Sequence, residues 1–446
     1  MNIELLLSVL AGIVLLLVLI LFVRLHAFLA LLITSVTVGL LAGMNGAEIA
    51  ETIQKGMAST LGFVAVVVGL GAMFGAILEA SGGAQAIAKL LISQSHSQRA
   101  PWMIMIAGYI ISIPVFFDVG FIILIPLIYG LQRRSGKSIL TFAIPLLAAL
   151  AVTHAFVPPH PGPVAVAGIL DADLGTVILV GLLVGFPAAV VGGILWGKYI
   201  SRRIFAAAPE IKEEENEMNV PPVWMFLMLI IIPFALIITN TIIERLVKSG
   251  VQNIELLNKI FALIGHPFAA LIIANLMAWY LLGIRRGMSR EKLLEITTRS
   301  LTPVGMILLL IGAGGVFKQV LVDTGSGEML ARSMTSQGIP VFFFGFIIAA
   351  LVRVLQGSAT VAMITSAGLT APFLTGLELS ELQLSCIVIA IGSGATFMSH
   401  VNDSGFWLVK QYLGLTEKQT FRSWTVMTMI VGVTGLVGAG LIYYLV

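Results

Sequence analysis

Runs of about 20 consecutive apolar residues recur from one end of the chain to the other, and each is long enough to cross a bilayer as a helix. "TVILVGLLVGFPAAVVGGILW", from Thr176 to Trp196, is one of them. With 58% of residues hydrophobic and only 11% charged, and a mean hydropathy of +1.05, no soluble fold buries that much apolar surface. The pattern predicts an all-α polytopic membrane protein. A membrane β-barrel would instead alternate polar and apolar residues over segments of about 10 residues. The first run, Ile3 to Val23, has Glu4 and no Lys or Arg at its start, which suits a true span better than a signal peptide. The single cysteine, Cys386, excludes an internal disulfide and a Cys-rich metal site. The basic residues lie in short loops between spans, where they report orientation and not nucleic-acid binding.

Two segments break this pattern. "VPPHPGP", Val157 to Pro163, places four prolines and a histidine between apolar runs. Proline removes a backbone donor and clashes with the preceding turn, so a continuous helix cannot hold this tract. "SHVNDSG", Ser399 to Gly405, is as unfit for mid-helix, because Asn, Asp, Ser and Gly favour caps and turns. Irregular backbone at membrane depth is tolerated only where protein or a wet cavity satisfies its N–H and C=O groups.

The two segments belong to two copies of one pattern. "HAFLALLI" from His26 matches "HPFAALII" from His266, and "GLGAMFGAILEASGG" from Gly69 matches "GAGGVFKQVLVDTGS" from Gly312. The offset between the second pair also lays Thr153 on Thr396, Gly162 on Gly405 and Gly192 on Gly435. Loop charges differ between the copies. Arg133, Arg134 and Lys137 follow the fourth apolar block of the first copy, where the second has Glu378 and Glu381. Arg285, Arg286, Arg290 and Lys292 follow the second block of the second copy, where the first has Glu48, Glu51 and only Lys55 as a base. The positive-inside rule then puts equivalent loops on opposite faces.

The expected architecture is two inverted-topology repeats, residues 1–200 and 223–446, joined by a cytoplasmic linker at 201–222, with both termini outside. Each repeat has about five spanning helices, a re-entrant hairpin and one broken helix. The hairpins fall at Trp102 to Leu131 and near 341–371, and the broken spans at Thr141 to Ile169 and near 382–409. The other second-copy spans fall near 223–243, 260–283, 302–321 and 424–446. A kinked, steeply tilted helix is the alternative to each hairpin. Inverted repeats with broken helices are a hallmark of secondary transporters, although channels also use them.

The candidate site residues sit at the breaks and the hairpin tips, "VFFDVG" (Val115 to Gly120) and "RVLQGSAT" (Arg353 to Thr360). Arg353 suits a carboxylate, since its forked donors bind one in bidentate fashion; a structural pair with Asp118 or Asp403 is the competing reading. Gly357, Ser358, Thr360, Asn402, Ser404, Pro159, His160 and Gly120 complete the candidate substrate-binding set. Asp118, Asp403, His154, His160 and His400 are the candidate proton carriers, against the plainer roles of helix cap, ion pair or a histidine bonded to freed carbonyls. Lys318 is expected to snorkel to the interface, with a gate or ion-pair role as the alternative, His26 and His266 to cap helices, and Gly69, Gly71, Gly312, Gly314 and Gly315 to permit close helix contact. No metal, cofactor or enzyme constellation emerges: "GSGAT" at Gly392 lacks the Lys of a phosphate loop, and the histidines lack HExxH spacing.

"THAFVPPHPGP", "IGAGGVFKQVLVDTG", "QGSATVA" and "SHVNDSGFWL", supported by "LGAMFGAIL" and "FFDVGFIILIPL", together resemble the gluconate permease family, the gluconate:H+ symporters. The resemblance spans essentially the whole chain. It implies a bacterial inner-membrane carrier that takes up a sugar-acid anion with protons. It also implies a homodimer in which a transport part (roughly 100–200 and 340–446) slides against a scaffold (roughly 1–95 and 223–335). In that setting Arg353 and the hairpin-tip amides would hold the carboxylate, Asn402, Ser404 and Ser358 the hydroxyls, and Asp118, Asp403 or His160 the proton. Members of the family typically carry Glu where this chain has Asp118 and often Pro where it has Ser404. Alternatives are a Na+-coupled carrier for another small hydroxy-carboxylate or amino acid and, in a different class, a passive anion channel.

Overall fold

The computed structural model describes residues 3–83, 86, 99–209, 221–251, 254–326, 340–374 and 377–446. All regular structure among them is helical. The first half holds α1 (Ile3–Leu21), α2 (Ala27–Leu41), α3 (Gly46–Ala80), α4 (Ala100–Ile111), α5 (Phe117–Ser135), α6 (Leu140–Phe156), α7 (Pro161–Leu170) and α8 (Leu174–Ile200). The second holds α9 (Val223–Lys248), α10 (Glu255–Ile264), α11 (Pro267–Arg286), α12 (Arg290–Asp323), α13 (Val341–Gln356), α14 (Ala359–Thr370), α15 (Glu381–Thr396), α16 (Ser404–Tyr412) and α17 (Glu417–Leu445). Among the described residues, seven segments are long and apolar enough to cross a membrane: α3, α6 with α7, α8, α9, α11, α12 and α17.

Each interruption has a local cause. Between α4 and α5 the chain leaves the helix at Ser112 and resumes at Phe117; between α6 and α7 it does so across Val157 to His160. Between α13 and α14 it turns at Gly357, and between α15 and α16 it runs irregularly from Phe397 to Asp403. Proline opens α7 at its first position, where the missing N–H costs nothing. Ser358 caps α14, its side chain accepting from Val361 N at 3.3 Å. His26 and His266 cap α2 and α11, each accepting through Nδ1 from the N–H of the phenylalanine two residues on, at 3.3 Å. Three helices also contain a π-turn, at Val190–Leu195, Trp279–Gly283 and Phe421–Thr425.

The broken helix α6–α7 and helix α15 lie at the centre, with α8, α13, α14 and α17 packed around them. Almost every residue of α6 is buried, from Leu140 to Phe156, as expected for a helix that is apolar on all faces. To one side, α3 and α12 run together over 35 and 34 residues. Their approach depends on glycine: a Cβ on Gly315 would stand 2.1 Å from the Thr60 hydroxyl, and one on Gly56 2.6 Å from the Val316 Cα.

Three sequence expectations need correction. Helix α12 begins at Arg290, capped by Ser289, and not near residue 302, because its first three turns are polar helix outside the apolar run. The span expected near 260–283 begins at Pro267, because residues 260–264 belong to α10, an amphipathic helix too short to span with none of its residues buried. Lys318 does not snorkel freely but forms an ion pair with Asp171 at the end of α7. Half of the polar linker, 210–220, lies outside the described residues, as does Lys89.

Candidate functional site

Four helices that start inside the fold point their N-termini at one place. A cavity of about 630 Å³ is lined by the first residues of α5 (Phe116 to Val119), α7 (Pro161), α14 (Gly357 to Thr360) and α16 (Asn402 to Gly405). The termini of α5, α14 and α16 carry unpaired backbone N–H groups as well as the partial positive charge of about half an electron that favours an anion; α7 opens on Pro161, which has no N–H, and adds mainly its dipole. The remaining wall comes from His154 and Ala155 on α6, Thr396 on α15, Trp424 and Thr428 on α17, and Pro303, Val304 and Ile307 on α12.

Two ionic groups in this wall are locked together. The Arg353 guanidinium donates through Nη2 to Asp403 Oδ2, and only 5% of Arg353 is exposed. Asp403 Oδ1 meanwhile accepts from Gly405 N at 3.0 Å and caps α16. Of the two partners open to Arg353 in the sequence, the fold selects Asp403. Asp118, in the first turn of α5, lines the same cavity and has no hydrogen bond or ion pair among the described residues.

The histidines at the breaks do a different job from His154. Helix α4 stops at Ile111 and leaves the Ser112 carbonyl without an intrahelical partner; His160 Nε2 donates to it at 2.6 Å. Helix α13 stops at Gln356 and leaves the Val354 carbonyl in the same position. His400 Nε2 and Asn402 Nδ2 both donate to it at 2.8 Å. In each half, then, the unwound segment satisfies a carbonyl orphaned where the preceding helix pair is interrupted, as buried backbone acceptors require. His160 is buried behind His154, with ring centroids 5.1 Å apart.

Of the candidates read from sequence, Arg353, Gly357, Ser358, Thr360, Asn402, Ser404, Asp118, Asp403 and His154 line the cavity. Pro159, His160, Gly120 and His400 do not. Pro159 packs on Gly71, His160 and His400 are turned to the hairpin carbonyls, and Gly120 faces Leu150. Gln356, Thr396, Trp424 and Thr428 were missed, as was the α12 wall. Gln356 was legible as a polar residue beside the tip glycine; the others lie in spans whose composition marks nothing. Three buried polar atoms of lining residues have no hydrogen-bond partner among the described residues: Arg353 Nε, Gln356 Oε1 and His154 Nδ1. Such atoms cost about 1–3 kcal/mol each unless a ligand, water or ion satisfies them.

Compared with known families, residues 4–446 match the GntP family permease profile. The chain belongs to this family. Among its curated relatives, the low-affinity gluconate transporter of Escherichia coli K12 is 42% identical, over 98% of this chain and 97% of its own. The gluconate permease of Pseudomonas aeruginosa is 39% identical over 97% and 96%, and the Gnt-II system L-idonate transporter of E. coli is 37% identical over 96% of each. These GntP relatives are named as transporters and permeases, not as enzymes. In fold, this GntP permease is similar to the YdaH transporter of Alcanivorax borkumensis, with a TM-score of 0.65 at 15% identity over 94% of this chain and 97% of that one. It is also similar to MtrF of Neisseria gonorrhoeae, described within a class of antimetabolite efflux pumps, at TM-score 0.60 and 14% identity over 89% and 83%. The GntP chain is thus a multi-pass membrane transporter.

Proposed function

We propose that this permease imports a sugar acid such as gluconate across the bacterial inner membrane by proton symport, with Asp118 as the proton carrier. The observation that carries the reading is the convergence of four helix N-termini and Arg353 on one cavity that also holds an unpaired carboxylate. The helix ends suit the substrate carboxylate. The hydroxyl and amide groups of Ser358, Thr360, Asn402, Ser404 and Gln356 suit a polyhydroxy chain. Asp403 is saturated by Arg353, Ser399 and Gly405 and is held as a fixed counter-ion. Asp118 has no such partners and is free to take and release a proton.

Energetics support coupling. An inside-negative potential opposes entry of a monoanion by about 2.3 kcal/mol per 100 mV, and one co-transported proton cancels that charge. The cavity wall supports an elevator division. Apart from Pro303, Val304 and Ile307 of α12, its residues belong to the 100–200 and 340–446 parts, which would carry the substrate past a scaffold that includes α3 and α12. In this reading the two halves are inverted repeats, the protein is a homodimer and both termini are periplasmic. Asp118 and Ser404, the two positions where the family resemblance implies Glu and Pro instead, both line the cavity, so the preferred sugar acid can differ from gluconate in length or substitution.

The test is uptake into proteoliposomes. A pH gradient, acid outside, should drive sugar-acid accumulation without sodium. Sodium-dependent uptake without proton flux would overturn proton coupling, and equilibration without accumulation would mean a channel. Asp118→Asn should keep substrate exchange and lose proton-driven accumulation; wild-type accumulation by this variant would remove Asp118 from the role.

A further inference from the structure

Asp403 is held by a chain of hydrogen bonds that begins on α17, at the cavity wall. Ser399 donates through Oγ to Asp403 Oδ2, the oxygen that also receives Arg353. The same Oγ accepts from Trp424 Nε1 at 2.7 Å. Ser399 is gripped at both backbone atoms as well: its N–H donates to Thr428 Oγ1 at 3.1 Å, and its carbonyl accepts from Thr425 Oγ1 at 2.6 Å. Thr428 Oγ1 in turn donates to the Thr425 carbonyl at 2.8 Å. Ser399 is 1% exposed and Trp424 3%.

One helix supplies all three contacts because Trp424, Thr425 and Thr428, at i, i+1 and i+4, share one face of α17 and meet the break between α15 and α16 together. The Trp424 ring also leans on Phe117, with centroids 5.4 Å apart, next to Asp118. One indole thus braces the segment that carries Asp403 and the tip that carries Asp118.

We infer that Trp424 and Ser399 are positioning residues of the permease. They hold the Asp403 carboxylate in one orientation, and through it fix the Arg353 guanidinium for the substrate anion. The inference deepens the sugar-acid reading and rests on it for the choice of ligand. Without the Trp424–Ser399 link, Ser399 Oγ is free to rotate away from Asp403, and Asp403 keeps its charge but loses its fixed direction. Arg353 then samples other rotamers, which weakens substrate binding and leaves the translocation step alone.

The experiment measures concentration dependence of uptake in proteoliposomes for Trp424→Phe, Ser399→Ala and the double variant. Trp407→Phe serves as the control, because that indole donates only to the exposed Val401 carbonyl, which water can satisfy. Each single variant should raise KM about tenfold with Vmax within about twofold of wild type, a loss of one charge-oriented contact. The double variant should be no worse than Ser399→Ala, since both break one chain. Trp407→Phe should match wild type. A second readout needs no substrate: phenylglyoxal labelling of Arg353 in purified protein, followed by peptide mass spectrometry, should speed several-fold in Trp424→Phe and Ser399→Ala and stay unchanged in Trp407→Phe. Unchanged KM and unchanged labelling in Trp424→Phe overturn the inference, as do additive losses in the double variant. If Ser399→Ala does not yield folded protein, Trp424→Phe decides alone. If wild type takes up no sugar acid, the sugar-acid reading fails and the labelling result still decides the positioning chain.

Discussion

Replacing Gly357 with alanine should damage substrate binding far more than an alanine elsewhere in a helix. Gly357 ends α13 at φ +91°, where a side chain costs roughly 1–2 kcal/mol. A Cβ built there would stand 2.1 Å from the Asn402 carbonyl oxygen and 2.6 Å from its carbon. Both are backbone atoms, and Asn402 is itself tied back to Val354, so neither side can yield by rotating a side chain. Forced contacts of this kind cost about 1–3 kcal/mol. The sum, about 2–5 kcal/mol, falls on the junction between the α13–α14 tip and the α15–α16 break, two of the walls that must stand together to form the cavity. At tenfold per 1.4 kcal/mol, affinity for a sugar acid should fall at least about 30-fold. Ligand-dependent thermal shift or calorimetry on monodisperse protein would read this. Gly62→Ala, where an added Cβ meets nothing within 4 Å, is the control and should bind normally. Affinity of Gly357→Ala within threefold of wild type would show that the tip and the break are not rigidly registered.

Other substitutions separate structural from transport roles. Arg353→Ala leaves Asp403, whose side chain is only 12% exposed, without its counter-ion; stability should drop by about 3–5 kcal/mol and binding should vanish. Adding Asp403→Asn should recover melting temperature but not uptake, and recovered uptake would refute the role of Arg353. His160→Phe orphans the Ser112 carbonyl, at about 1–3 kcal/mol; melting temperature should fall while the proton-to-substrate ratio of the surviving protein is unchanged. A changed ratio would return His160 to the proton path. Lys318→Met removes an ion pair whose Asp171 side chain is 77% exposed, so the loss should be about 0–1 kcal/mol, checked by thermal melting.

Much of the architecture was legible in the sequence because its causes are local. Apolar length marks a span, four prolines end a helix, and a Ser or His before an apolar run caps one, whatever lies beside it. That is why the breaks at Val157 to His160 and Phe397 to Asp403 were readable, along with the hairpin turn at Gly357 and the caps at His26 and His266. Helix α10 was not, since an amphipathic ten-residue segment beside a span carries no length signature. Roles within the site were readable only as sets of alternatives. Asp118 and Asp403 are both acids beside a glycine-containing turn, and His160 and His154 are both histidines near one break.

The tertiary structure decided between them. Arg353 meets Asp403 and not Asp118 because Ser399 and the α16 terminus hold Asp403 beneath the α13–α14 tip. His160 and His400 turn to hairpin carbonyls because each hairpin ends a helix early and leaves an acceptor that only the neighbouring break can reach. Trp424 joins the site because α17 packs against the α15–α16 break and its indole reaches Ser399, which nothing in "FRSWT" announces. Solvation and backbone chemistry act residue by residue, and so are written along the chain. Which charge is neutralised and which is left free depends on segments tens of residues apart coming within hydrogen-bond reach, and that is set only when the whole bundle packs.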